Sequence, residues 1–143
     1  MYPLAHLAAS LTLNEASGGD RVSAAAGALA PDVIDKTLGW VLGVTPSGRF
    51  AAHSLMGAGA LTLAVASVAG PQRGASFGAS YLCHLVADLF GGGHVPWFMP
   101  FKRYQYSEPR WSLGLTRGTL GLELAGLLVL ARMATRWAAE GER

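Results

Sequence analysis

The chain has 143 residues, 51% hydrophobic and only 14% charged, with 19 glycines and a formal net charge of +2. One domain suits that length, and a charged fraction well below the quarter usual in soluble domains suits helices packed closely in lipid, or else a small, very apolar soluble bundle with little to cover its surface. Lys and Arg occur singly or in short pairs, so a nucleic-acid partner is not expected. Cys83 is the sole cysteine, which rules out an intrachain disulfide and a Cys-built zinc cage.

The first apolar segment, 2–14, reads YPLAHLAASLTLN and carries one polar ring, His6. It has no basic leader and its apolar run is short, so it reads as part of the mature fold and not as a signal peptide. SGGD at 17–20 breaks the pattern, and a second helical stretch follows at 21–30. Both stretches are short for a span, which needs about 20 residues of helix. They are expected to be re-entrant, interfacial or buried. Pro31 is expected to end the second stretch, followed by PDVIDK, a compact acidic turn holding Asp32, Asp35 and Lys36. Asp32 and Lys36 are spaced for an ion pair across one helical turn. TPSG at 45–48 signals a turn.

Residues 50–72 contain no Asp, Glu, Lys or Arg and form the best candidate for a transmembrane helix. On that helix Arg49 and His53 would share one end, and Gly57 and Gly59 would admit a neighbour. The next helix is expected over about 75–90, with Gly74 and Gly78 as a small-residue packing pair. The glycines at 91–93 stop it. An apolar–aromatic segment, VPWFMPF, and a polar loop at 102–112 follow. A last helix spans about 113–131, with Arg117 and Glu123 embedded and Arg132, Arg136 and Trp137 as an interfacial anchor. The fold class is thus all-α: a small multi-helix integral membrane bundle, one domain over 1–143, with short or re-entrant N-terminal helices.

The stretch HLVADLFGGGH carries the chemistry. His84 and Asp88 are four apart and lie on one helix face, where imidazole and carboxylate can share a zinc-like cation. The bland alternative is a buried His–Asp hydrogen bond. An ionised Asp in so apolar a setting needs a partner or a ligand. The glycines let the chain turn so that His94 returns toward the same cavity. His6 and His53 taken singly would be core or interface histidines. With Asp32 they complete a set of four histidines and two carboxylates in an otherwise apolar chain. Two or more divalent ions, bridged by Asp32 or Asp88, would fit this set. Mixed imidazole and carboxylate ligands suit Zn²⁺, and also Mn²⁺ or Fe²⁺. Such ions activate water and stabilise charge on a phosphoryl or acyl oxygen. Asp32 or Asp88 would orient the water or act as general base. Arg49 would contact an anionic substrate, or else sit at a helix end beside lipid headgroups.

These residues give the chain a family likeness. His6, APD at 30–32 with Asp35, GRFAAHS at 48–54, YLCHLVADLF at 81–90 and GHVPWFMPF at 93–101 resemble the membrane-bound metal-dependent hydrolases. These are also described as inner-membrane-associated hydrolases that bind the SOS-response repressor. The likeness covers about residues 1–101. It implies a multi-helix protein of the bacterial inner membrane with a His/Asp metal site and a regulatory protein partner. The family usually shows a richer acidic turn with a histidine, and a second histidine before the central one. Here the turn reads PDVIDK, and Asp35 is the residue available to replace the missing ligand.

A more distant similarity is to the zinc-dependent phospholipase C and single-strand nuclease superfamily, whose ligand order His, Asp, His, HxxxD, His is followed by His6, Asp32, His53, His84, Asp88 and His94. Its final HxxxE pair is absent, though Glu123 could supply one carboxylate. That likeness implies a phosphoesterase acting on a phospholipid or small-molecule phosphoester beside membrane lipids. Two other functions fit the same residues: a membrane interaction or scaffold protein with a structural or regulatory metal site, and a small divalent-cation transporter.

Overall fold

The computed structural model describes residues 3–90, 94–106 and 117–141. Among them are five α-helices: α1 (Pro3–Ser17), α2 (Arg21–Lys36), α3 (Leu55–Ala69), α4 (Pro71–Phe90) and α5 (Arg117–Gly141). A π-helical turn, Thr37–Val41, continues from the end of α2. The all-α expectation holds. The expected helix stop at 91–93, the start of the last helix, the side chain of Arg117 and most of the polar loop lie outside the described residues.

Three boundaries differ from the sequence reading. Pro31 does not end α2; it is buried inside the helix, which runs on to Lys36. Proline removes one helix donor, yet the helix continues through it with Pro31 buried. Residues 50–72 do not form one helix. Residues 50–54 are irregular, Ser54 caps α3 by accepting from the Gly57 amide, and Gly70 at φ +96° breaks the chain before Pro71 starts α4. Only glycine adopts that angle without strain, and proline suits a helix's first turn. What remains, α3, has 15 residues, short of a span. The last helix runs ten residues past its expected end.

Small residues bring the helices together. A Cβ on Gly27 of α2 would meet the Phe77 carbonyl of α4 at 2.1 Å, and one on Gly78 would meet Thr62 of α3 at 2.7 Å. The expected packing role of Gly74 and Gly78 therefore holds, whereas Gly59 faces open space. Ala58, Phe77, Tyr81, Leu85 and Val95 form one apolar core around α4. Leu11, Ala24 and Met133 form a second, joining α1, α2 and α5.

Helix α5 contains the one described stretch long and apolar enough to cross a membrane, Gly118–Glu140. Its Leu120, Leu122, Leu124, Leu127 and Leu128 are exposed. At its far end two of the expected anchor residues contact α1. Arg136 Nη2 and Trp137 Nε1 donate to the Glu15 carboxylate at 2.8 and 2.5 Å. Glu123 does not join the metal-ligand set. Its Oε2 accepts from the Leu4 amide at 3.1 Å, one of the N-terminal donors that α1 leaves without a helix partner.

Gly27→Val would drive side-chain atoms into the α4 backbone. We expect a stability loss of about 1–3 kcal/mol, read as a lower thermal midpoint in detergent.

Candidate metal centre

Four chain segments deliver the site. His6 comes from α1, Asp32 and Asp35 from the last turns of α2, Arg49 and His53 from the irregular segment before α3, and His84 and Asp88 from α4. His6, Asp35, His53, His84 and Asp88 are all buried.

Two imidazoles are held by their inner nitrogens. His84 Nδ1 lies 2.7 Å from the Ala28 carbonyl, which can only accept, so Nδ1 carries the proton. His53 Nδ1 lies 2.8 Å from Asp35 Oδ2 and donates in the same way. Both rings therefore turn Nε2 outward to the shared centre. Among the described residues neither Nε2 has a hydrogen-bond partner, although both are buried. Metal-binding histidines are oriented by this pattern.

The outer nitrogens meet two carboxylates. His53 Nε2 stands 3.4 Å from Asp32 Oδ1 and 3.5 Å from Asp88 Oδ2. His84 Nε2 stands 3.8 Å from Asp32 Oδ1 and 3.9 Å from Asp88 Oδ2. His6 Nε2 is 3.4 Å from Asp88 Oδ1. Ligand atoms around one tetrahedral ion with bonds of ~2.0–2.1 Å are separated by about 3.4 Å, so these gaps have the spacing of a coordination shell. Two triads qualify, His6–His84–Asp88 and Asp32–His53–His84, each with its ligand atoms within 4.8 Å of one another. The cluster can coordinate a divalent metal. The triads share His84, whose single available Nε2 can serve one ion, so they cannot both be filled as separate three-ligand sites.

The remaining site residues divide clearly. Arg49 grips Asp88 with both arms of its fork, Nε to Oδ2 and Nη2 to Oδ1, each at 2.8 Å. Arg49 and His53 do not share a helix end, because 49–54 is not helical; the irregular segment brings them to the same carboxylate instead. Lys36 pairs with Asp32 across one turn, as its spacing predicts. His94 is exposed and belongs to neither triad. The expectation that it returns as a ligand is not met: Val95 beside it enters the core while His94 points outward.

Asp35 is the residue whose role the sequence left open. It is fully buried and accepts from the amides of Phe50, Ala52 and His53, at 2.6, 3.1 and 3.0 Å, besides His53 Nδ1. It orients a ligand and is not one itself. Burial would raise its pKa, but the donors from His53, Phe50 and Ala52 hold it below the usual carboxylate range. Burial likewise opposes charging of His53, yet the nearby Asp32 carboxylate and the hydrogen bond to Asp35 outweigh burial and raise its pKa above the ordinary imidazole value. Tyr81 was also missed. Its hydroxyl donates to the Ala52 carbonyl at 2.5 Å and fastens the same segment to α4. The three-residue interval from Asp32 to Asp35 was the available signal for Asp35; Tyr81 offered none.

With this geometry the chain can be placed among known proteins. A family model described as the YdjM inner membrane protein matches residues 3–141. The chain belongs to that family. No curated protein and no solved structure matches it. The family description and the one helix of membrane-crossing length together support a membrane-associated location.

Asp35→Asn would keep the size of the side chain and remove the charge that orients His53. Divalent-metal affinity should fall about 10–100-fold, measured by competition with a chelating dye. Binding requires neutral imidazoles, and the His53 pKa is raised. Affinity should therefore be full above that raised value and decline as pH falls through it, seen in the same titration at a series of pH values.

Proposed function

We propose that this chain is a membrane-bound metal-dependent hydrolase acting on a phosphoester, with phospholipids or other amphiphilic phosphoesters as the substrate class. The observation that carries this reading is the meeting of two buried, pre-oriented Nε2 atoms with two carboxylates. His6, Asp32, His53, His84 and Asp88 would hold a divalent cation, and zinc suits the mixed donor set. Such a cation supplies a Lewis acid and a more acidic bound water.

The chain's own groups supply the rest. Asp32 is the more exposed of the two carboxylates facing the imidazoles and would take a proton from water. Arg49 carries the planar donor fork that fits phosphoryl oxygens. The exposed leucines of α5, with Leu63 and Val68 of α3, suit lipid contact in a multi-helix bundle of the bacterial inner membrane. An amphiphilic substrate would approach from that side. A link to the phospholipase C and nuclease superfamily, and an SOS-repressor partner, rest on the sequence resemblance alone.

A second reading is a membrane scaffold with a structural or regulatory ionic centre. The Arg49–Asp88 fork favours it, because that pair already compensates one buried carboxylate. Purified full-length protein separates the two. On the hydrolase reading, protein prepared without chelator contains a divalent metal and hydrolyses bis(p-nitrophenyl) phosphate or a short-chain phospholipid. Turnover is lost with chelator and in His84→Ala. Asp32→Asn lowers the rate about 10²–10⁴-fold, the scale of a lost general base. Bound metal with no turnover on either substrate class would favour the scaffold.

A further inference from the structure

Arg49 uses both fork nitrogens on Asp88, and both Asp88 oxygens accept. Those same two oxygens stand within 3.4–3.9 Å of the imidazole Nε2 atoms. A divalent cation bound there would sit against a full positive charge, and that repulsion is strong where water is scarce. The guanidinium cannot relieve it by losing a proton. It has to move.

The geometry says which partner can move. The Asp88 side chain is 5% exposed and fixed on α4, whereas Arg49 is 29% exposed and reaches in from an irregular segment. From Phe50 onward that segment is tied down by Asp35 and by Tyr81. The Arg49 side chain is therefore the part free to swing while the backbone stays in place. Once off Asp88, its partly exposed fork would lack an anion. Phosphoryl oxygens match that fork in charge and in spacing.

We propose that Arg49 is a resident cation on Asp88 in the metal-free protein and becomes the receptor for a substrate oxyanion when a divalent cation takes that carboxylate. The inference rests on the metal-binding part of the function proposed above. It makes metal loading and anion binding cooperative, and it makes Arg49 an opponent of the metal and a partner of the anion.

The test uses full-length protein in detergent, with wild type, Arg49→Gln, Arg49→Lys and Asp88→Asn, each checked for helix content by circular dichroism. Zinc affinity is measured by dye competition. Binding of inorganic phosphate and of short-chain phosphatidic acid is then measured by calorimetry with and without zinc. Arg49→Gln should bind zinc about tenfold more tightly, since it removes a charged hydrogen-bond partner from the carboxylate. Arg49→Lys, which keeps the charge and loses the fork, should tighten zinc binding less than Arg49→Gln does. Both variants should lose zinc-dependent anion binding.

Zinc-dependent, Arg49-dependent binding of phosphate supports a soluble anion as the ligand; binding of phosphatidic acid alone supports a lipid headgroup. If Arg49→Gln fails to fold, Arg49→Lys decides. If wild type binds zinc and Asp88→Asn weakens it, but no folded Arg49 variant tightens it, the Arg49 proposal is overturned and the metal centre stands. Zinc-loaded wild type that binds neither anion also overturns it. Wild type that takes up no zinc overturns both.

Discussion

One buried carboxylate sets the geometry of the site. Asp35 has no exposed surface and accepts three backbone amides and an imidazole N–H from residues 50–53. Those donors belong to a segment with no regular structure of its own, whose buried amides need acceptors. Without Asp35 that segment would have to rearrange, and His53 would lose both its position and its tautomer. Arg49, immediately before the segment, would lose its line to Asp88. The proline within α2 matters here too, because the helix has to continue past it to bring Asp35 to this place.

The cluster is a balance of charge in a site nearly closed to water. Asp32, Asp35 and Asp88 bring three negative charges, and Lys36 and Arg49 return two. The deficit can be met by an imidazolium or by a bound cation, and the raised basicity of His53 expresses the same need. Burying carboxylates is costly unless each is paired. Here each is paired, with Lys36, with His53 and backbone donors, and with Arg49. Two of those pairs also place an oxygen beside an imidazole Nε2 that has no hydrogen-bond partner among the described residues. A purely structural network would be expected to satisfy those nitrogens. Their state is the strongest physical reason to regard the cluster as a ligand set.

The helices around it follow a different logic. Close approach at Gly27 and Gly78 replaces bulky interdigitation, which suits a chain whose outer surface is rich in exposed leucine and valine. Where polar contacts occur between helices they are local and specific. Glu15 ties α1 to the end of α5, and Glu123 serves the first turn of α1. His6 lies two residues beyond Leu4, so the Glu123 contact also helps to set the height of His6 within the bundle.

The sequence by itself determined the class of the chain and most of its ligand candidates. Low charge and abundant small residues point to close-packed helices in or at a membrane. The four-residue interval of His84 and Asp88 is a local property, because helix geometry alone puts them on one face. The likeness to metal-dependent hydrolases ordered His6, Asp32 and His53 around that pair. Local pattern could not decide how far an apolar run stays helical: Gly70 and the Ser54 cap cut 50–72 down to α3, and tertiary packing carried α2 through Pro31. Nor could it separate His94, which faces outward, from the histidines that converge. Only the tertiary structure made Asp35 the support of His53 and set Arg49 on Asp88, because both depend on an irregular segment whose path is fixed by long-range hydrogen bonds.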